Sequence, residues 1–194
     1  MPTNIIQDAF KRHGDAVEKS AAAIFPDVEA GAQVLADVAM GGRRMFTCGN
    51  GGSAADAQHL SAEWLCRYKG DRAPLPGIAL TVDTSALTAI GNDYGFEEVF
   101  ARQITALGSA GDVLVAITTS GKSKNIIRAI DAARVKHMKV IVLTGPGGDS
   151  LRGVADVVVV VPCEETARIQ EVHELVYHAW CEYVDSTLSA TKAV

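Results

Sequence analysis

The chain has 194 residues, of which 48% are hydrophobic and 21% charged, with a net charge of −5. That length supports one domain with a full core, and a mildly acidic chain without a basic patch gives no support to a direct nucleic-acid role. No apolar run approaches the roughly 18 residues a membrane-spanning helix needs, and the mixed-charge N-terminus, MPTNIIQDAFKRHGDAVEKS, lacks the apolar stretch of a signal peptide.

Residues 4 to 41 have helical spacing of apolar side chains. Ile5, Ile6, Phe10, Ala16 and Val17 serve a first helix, and Val28, Val34, Leu35 and Val38 a second. Pro26 predicts a break between them, and Gly41-Gly42 ends the pair. An alternation follows. Arg43 to Cys48 reads as a strand and Ser53 to Arg67 as a helix. Gly77 to Val82 is a second strand, followed by a helical stretch interrupted at Gly91 to Gly95. Asp112 to Ile117 is a strand, Lys124 to Lys136 a helix and Lys139 to Thr144 a strand. Asp156 to Val161 is a fifth strand, and Thr166 to about Leu188 a long last helix. Five β-branched runs separated by helices predict an α/β fold: a doubly wound, five-stranded parallel sheet covered on both faces, with an N-terminal helical extension over 1–41 of a single domain spanning 1–194. The four cysteines, Cys48, Cys66, Cys163 and Cys181, form no CxxC pair and read as thiols of a reducing cytoplasm.

Ligands of such sheets sit at the carboxyl ends of the strands, where the winding reverses. Two loops fall there. After the third strand comes TTSGKS, in which Thr118, Thr119, Ser120 and Ser123 surround Gly121 just before a helix. Free N–H groups at a helix start, together with its dipole, favour an anion, and glycine permits close backbone approach. Neither GxxxxGK[ST] nor GxGxxG is present, so the pattern predicts a phosphorylated small molecule and not a nucleotide. A single serine would be read as a helix cap; four hydroxyls around one glycine favour phosphate. After the first strand comes NGGS, Asn50, Gly51, Gly52 and Ser53, facing the same rim. Taken alone it is a turn capped by Ser53.

The next helix carries His59 and Glu63, i and i+4 on one face, competent as metal ligands, with Glu63 also a candidate general base. On an arbitrary helix this would be a surface pair. The last helix carries Gln170, Glu171, His173, Glu174 and His178 among apolar residues. Gln170 and His178 lie about 12 Å apart in rise and roughly 80° in rotation on an ideal helix, and spacing alone does not choose between His173 and His178.

Together, CGNGGSAADAQHLSAE, LTAIGNDYGFEEVFARQ, TTSGKS and ARIQEVHELVYH resemble the SIS (sugar isomerase) family over almost the whole chain, most closely its bacterial phosphoheptose isomerase branch. That branch converts D-sedoheptulose 7-phosphate to D-glycero-D-manno-heptose 7-phosphate through an enediol, at the start of ADP/GDP-heptose formation. The resemblance implies a SIS, flavodoxin-like fold in a cytoplasmic homotetramer with interfacial sites and one zinc per subunit. By match to the motifs, His59, Glu63, Gln170 and His178 would hold zinc, and Glu63 and His178 would exchange protons. Thr118, Ser120 and Ser123 would hold phosphate, with Asn50, Gly51, Gly52, Ser53, Asn92, Asp93, Thr119, Glu63 and Gln170 around the sugar. The family often reads SGNS where this chain has SGKS. A related SIS protein binds the replication initiator DnaA without catalysis; retention of both Glu63 and His178 favours the isomerase. SIS regulators carry an added DNA-binding motif for which 194 residues leave no room.

Overall fold

The computed structural model describes residues 2–192. Five strands form one sheet: β1 (Met45–Gly49), β2 (Gly77–Ala79), β3 (Val113–Thr118), β4 (Lys139–Thr144) and β5 (Val157–Val160). All neighbours are parallel and the spatial order is β2-β1-β3-β4-β5. The expected doubly wound sheet is therefore present, and its winding reverses between β1 and β3. Gly49 pairs with Ile117, and Thr118 with Thr144, so the two loops singled out in the sequence leave adjacent strands at one edge.

Strand alternation divides the core. Met45, Val113, Val115 and Ile117 point to a layer shared with Leu35, Leu60, Trp64, Tyr177 and Trp180. Phe46, Leu114 and Ala116 point to the other face, with Ile104, Ile126 and Ile130. The first layer contains α1 (Pro2–Met40), α2 (Gly52–Leu65) and α6 (Thr166–Lys192); the second contains α4 (Ala101–Leu107) and α5 (Lys124–Val135). Full burial of the inner strands on both faces is why they read as unbroken apolar runs.

Three boundaries differ from the sequence expectation. The N-terminal segment is one helix through Pro26, not two. Proline removes one helical hydrogen bond and costs roughly 3 kcal/mol, but α6 packs across the site. Trp180 Nε1 donates to the Val28 carbonyl at 2.8 Å, and its ring lies where a Cβ on Gly31 would meet it at 2.7 Å. Tertiary packing holds both halves of α1 in line. The second strand stops at Ala79, since it lies at the sheet edge with one neighbour. Helix α3 (Thr84–Tyr94) runs through Gly91 and breaks only at Gly95, whose φ of +93° a helix cannot accommodate.

Candidate active site at the carboxyl edge of the sheet

The phosphate-type loop is built of backbone packed on backbone. Gly121 has φ of +66°, and a Cβ there would lie 2.2 Å from Gly148 Cα. The segment after β4 lies directly against it: Gly145 N–H donates to the Thr119 carbonyl at 3.2 Å. Ser123 occupies the N-cap position of α5 but makes no side-chain capping bond. Its hydroxyl instead accepts from Thr118 Oγ1 at 3.4 Å. The capping alternative for Ser123 thus fails, and its oxygen stays with the cluster. Ser120 Oγ accepts from the Lys122 N–H at 3.2 Å, while the Lys122 residue is exposed. In the first loop Ser53 is no cap either. Gly51 holds that position with φ of +57°, and Ser53 is buried inside the first turn of α2. The loops are tied by Asn50 and Asn125, whose amides exchange two hydrogen bonds at 2.9 and 2.8 Å. Asn125 is buried, and the sequence reading missed it. Its only local signal was an amide in the first turn of a helix.

Helices α2 and α6 run parallel, side by side. Gln170 packs its amide on the bare backbone of Gly52, where a Cβ would come within 2.5 Å of Nε2. About two turns further along both helices, His59 meets His178, with Nε2 atoms 3.4 Å apart. Glu63 Oε1 stands 3.3 Å from the same His59 nitrogen. A tetrahedral ion with bonds of about 2.0–2.1 Å sets its ligand atoms about 3.3–3.4 Å apart. His59 Nε2 thus stands at such a spacing from His178 and from Glu63 separately. The other nitrogen of His59, Nδ1, faces Tyr177 Oη at 3.0 Å and Glu174 Oε1 at 3.6 Å. One ligand atom each from His59, Glu174 and His178 lies within 4.8 Å of the others, so this trio also offers a metal site. Spacing within the last helix does not separate His173 from His178; in the fold His173 is buried away from this cluster and His178 is in it.

The charge balance also suits a cation. Asp56, one turn before His59, is pushed up to about 6, first by burial and then by the Glu174 charge, with His59 opposing. One of its oxygens is buried without a partner. Burial, reinforced by the nearby Asp56 and Glu174 carboxylates, keeps the Tyr177 hydroxyl protonated. Tyr68 stacks on the His178 ring with centroids 5.3 Å apart. Sequence spacing gave no role to Asp56, Tyr68, Glu174 or Tyr177. Two expected groupings do not form within the described chain. Gln170 stays at the glycine turn, far along the helix from the imidazoles, and Asn92 and Asp93 are exposed and hydrogen-bond to each other at 2.8 Å.

Comparison with known proteins gives the chain's family. The SIS domain profile matches residues 8–145. A phosphoheptose isomerase of Shewanella loihica is 49% identical over 186 residues, covering 94% of each chain. The structure of phosphoheptose isomerase GmhA from Neisseria gonorrhoeae superposes with a TM-score of 0.90 at 43% identity, covering 96% of this chain and 100% of that one. A phosphoheptose isomerase structure from Francisella tularensis gives 0.91 at 38% identity, with 96% and 99% covered. The chain belongs to the SIS domain family, and within it to the phosphoheptose isomerases.

Proposed function

We propose that this protein isomerises D-sedoheptulose 7-phosphate to D-glycero-D-manno-heptose 7-phosphate. One observation carries the reading: Glu63 and His178 converge on His59 Nε2, on helices that begin beside the glycine turn and the hydroxyl loop. A phosphate handle and a reacting end thus share one rim. Thr118, Ser120, Ser123 and the start of α5 hold the phosphate. Asn50, Gly51, Gly52, Ser53, Thr119 and Gln170 line the sugar, and Asn92 and Asp93 close on it. Fixing the handle positions C1 and C2 and removes most of the entropic cost of reaction. Glu63 takes the C1 proton of the ketose while His178 protonates O2; His178 then takes the O1 proton as Glu63 returns a proton to C2, so the enediol collapses to the aldose with both groups restored. The initiator-binding alternative is not favoured, given the isomerase relatives.

His59, Glu63 and His178 would hold zinc, which would polarise the carbonyl and steady the developing oxyanion. Glu174 and Tyr177 face Nδ1 and orient the ring so that Nε2 is free to ligate. Gln170 is the fourth donor of an interfacial site, supplied by a neighbouring subunit. A homotetramer is supported by the apolar exposure of α1: Ile5, Ile6, Phe10 and Phe25 are all more than half exposed. An apolar groove of about 270 Å³ between α1 and α6 continues that face. Four free thiols suit a reducing cytoplasm.

The test is proton exchange. Protein mixed with sedoheptulose 7-phosphate in D₂O should place deuterium at C2 of the aldose, with turnover lost on chelation and restored by zinc. A folded, zinc-supplied protein that forms no product and exchanges no proton overturns the reading.

A further inference from the structure

We propose that Arg72 and Asp185 are positioning residues for the Glu63–His178 proton-transfer pair, an inference that rests on the isomerase reading. Arg72 lies in the irregular segment after α2, where the chain folds back. Its side chain is 7% exposed and that of Asp185 12%. All three of its nitrogens donate around one point. Nε donates to Asp185 Oδ1 at 2.6 Å, Nη2 to the Glu63 carbonyl at 2.8 Å, and Nη1 to the Trp64 and Ala73 carbonyls at 3.0 and 3.1 Å. The last carbonyls of a helix have no intrahelical partners and carry the negative end of its dipole. Arg72 satisfies two of them on α2, and one belongs to Glu63 itself.

Asp185 carries the tie to α6. It stands seven residues after His178, two turns along the same face. Its second oxygen accepts from the Lys69 N–H at 3.3 Å, so the carboxylate is held from two sides. The parallel helices are therefore joined at three levels: Gln170 on Gly52, His178 on His59, and Asp185 through Arg72 to the Glu63 turn. The third level fixes how far the backbone of Glu63 stands from the helix bearing His178. Neither Arg72 nor Asp185 touches the reacting groups; they act through the Glu63 turn. Lysine keeps the charge but cannot fork to several carbonyls at once. The phosphate loop hangs on β3, β4 and α5, elements this tie does not hold.

The test compares Arg72→Lys and Asp185→Asn with wild type and with Ile104→Val, a destabilising control on the opposite sheet face. We expect kcat to fall about 10-fold to 100-fold in both variants, as misplacement near 1 Å does, with KM within about threefold. The double variant should be no worse than the poorer single one, because the two residues form one unit. The Ile104→Val protein should keep wild-type kcat. If either folded variant turns over at the wild-type rate, or if KM rises well beyond threefold as kcat falls, as general loosening would make it, the inference is overturned. Asp185→Asn is nearly isosteric and serves if Arg72→Lys does not fold. A wild-type protein without turnover would instead overturn the isomerase reading.

Discussion

Replacing Gly121 with alanine separates backbone conformation from backbone packing in the phosphate loop. Gly121 has φ of +66°, where a Cβ costs about 1–2 kcal/mol. That Cβ would also lie 2.2 Å from Gly148 Cα and 2.5 Å from Gly148 N. These are backbone atoms with no rotamer to yield. Gly148 cannot retreat, since its own Cβ position is 2.1 Å from Thr144 Oγ1. Overpacking of this kind costs about 1–3 kcal/mol, so Gly121→Ala should lose about 2–5 kcal/mol in all. Gly42→Ala is the control: its φ is +63° and nothing lies within 4 Å of the added carbon. It carries the conformational cost alone. Urea unfolding at fixed protomer concentration, with and without inorganic phosphate, measures both. Gly121→Ala should unfold earlier than Gly42→Ala by the packing cost and lose the protection that phosphate gives the wild type. If the two variants unfold within about 0.5 kcal/mol of each other and both keep the phosphate protection, the packing argument for this loop is wrong.

Other expectations follow from the site and the core. Glu63→Gln should fold and bind inorganic phosphate normally yet lose about 10²–10⁴ in kcat; near-normal turnover would remove Glu63 as the base. Burial holds His173 down to about 4 from 6.5, opposed in part by the Thr144 backbone. As pH falls through that window the unfolded chain takes up the proton first, so stability is lost between about 6.5 and 4, by about 3 kcal/mol, and no further from this group below that. Urea midpoints at pH 7 and 4.5 should therefore diverge less in His173→Phe than in wild type; an equal divergence would refute the assignment. Chelation should lower the unfolding temperature by about 5–10 °C relative to protein with metal at 100 times its Kd, and His59→Ala should abolish that difference.

The sequence by itself determined the layers of the fold and the rim that carries the candidate site. Five apolar runs between helical segments leave a parallel sheet as the consistent arrangement, and the loops after β1 and β3 then fall at the winding reversal. Period and composition are local properties, so they survive in the chain without knowledge of its folding. His59 and Glu63 were legible for the same reason, being neighbours on one helix. What crosses between elements was not legible. Pro26 sits inside a continuous helix because Trp180, far away in sequence, braces it. His178, and not His173, reaches His59 because α2 and α6 lie parallel at a register that no spacing within either helix encodes. The Asn50–Asn125 amide pair and the Arg72–Asp185 tie likewise join residues 75 and 113 positions apart. Helical periodicity says which face a side chain occupies. Only packing of one helix on another decides which partner that face meets.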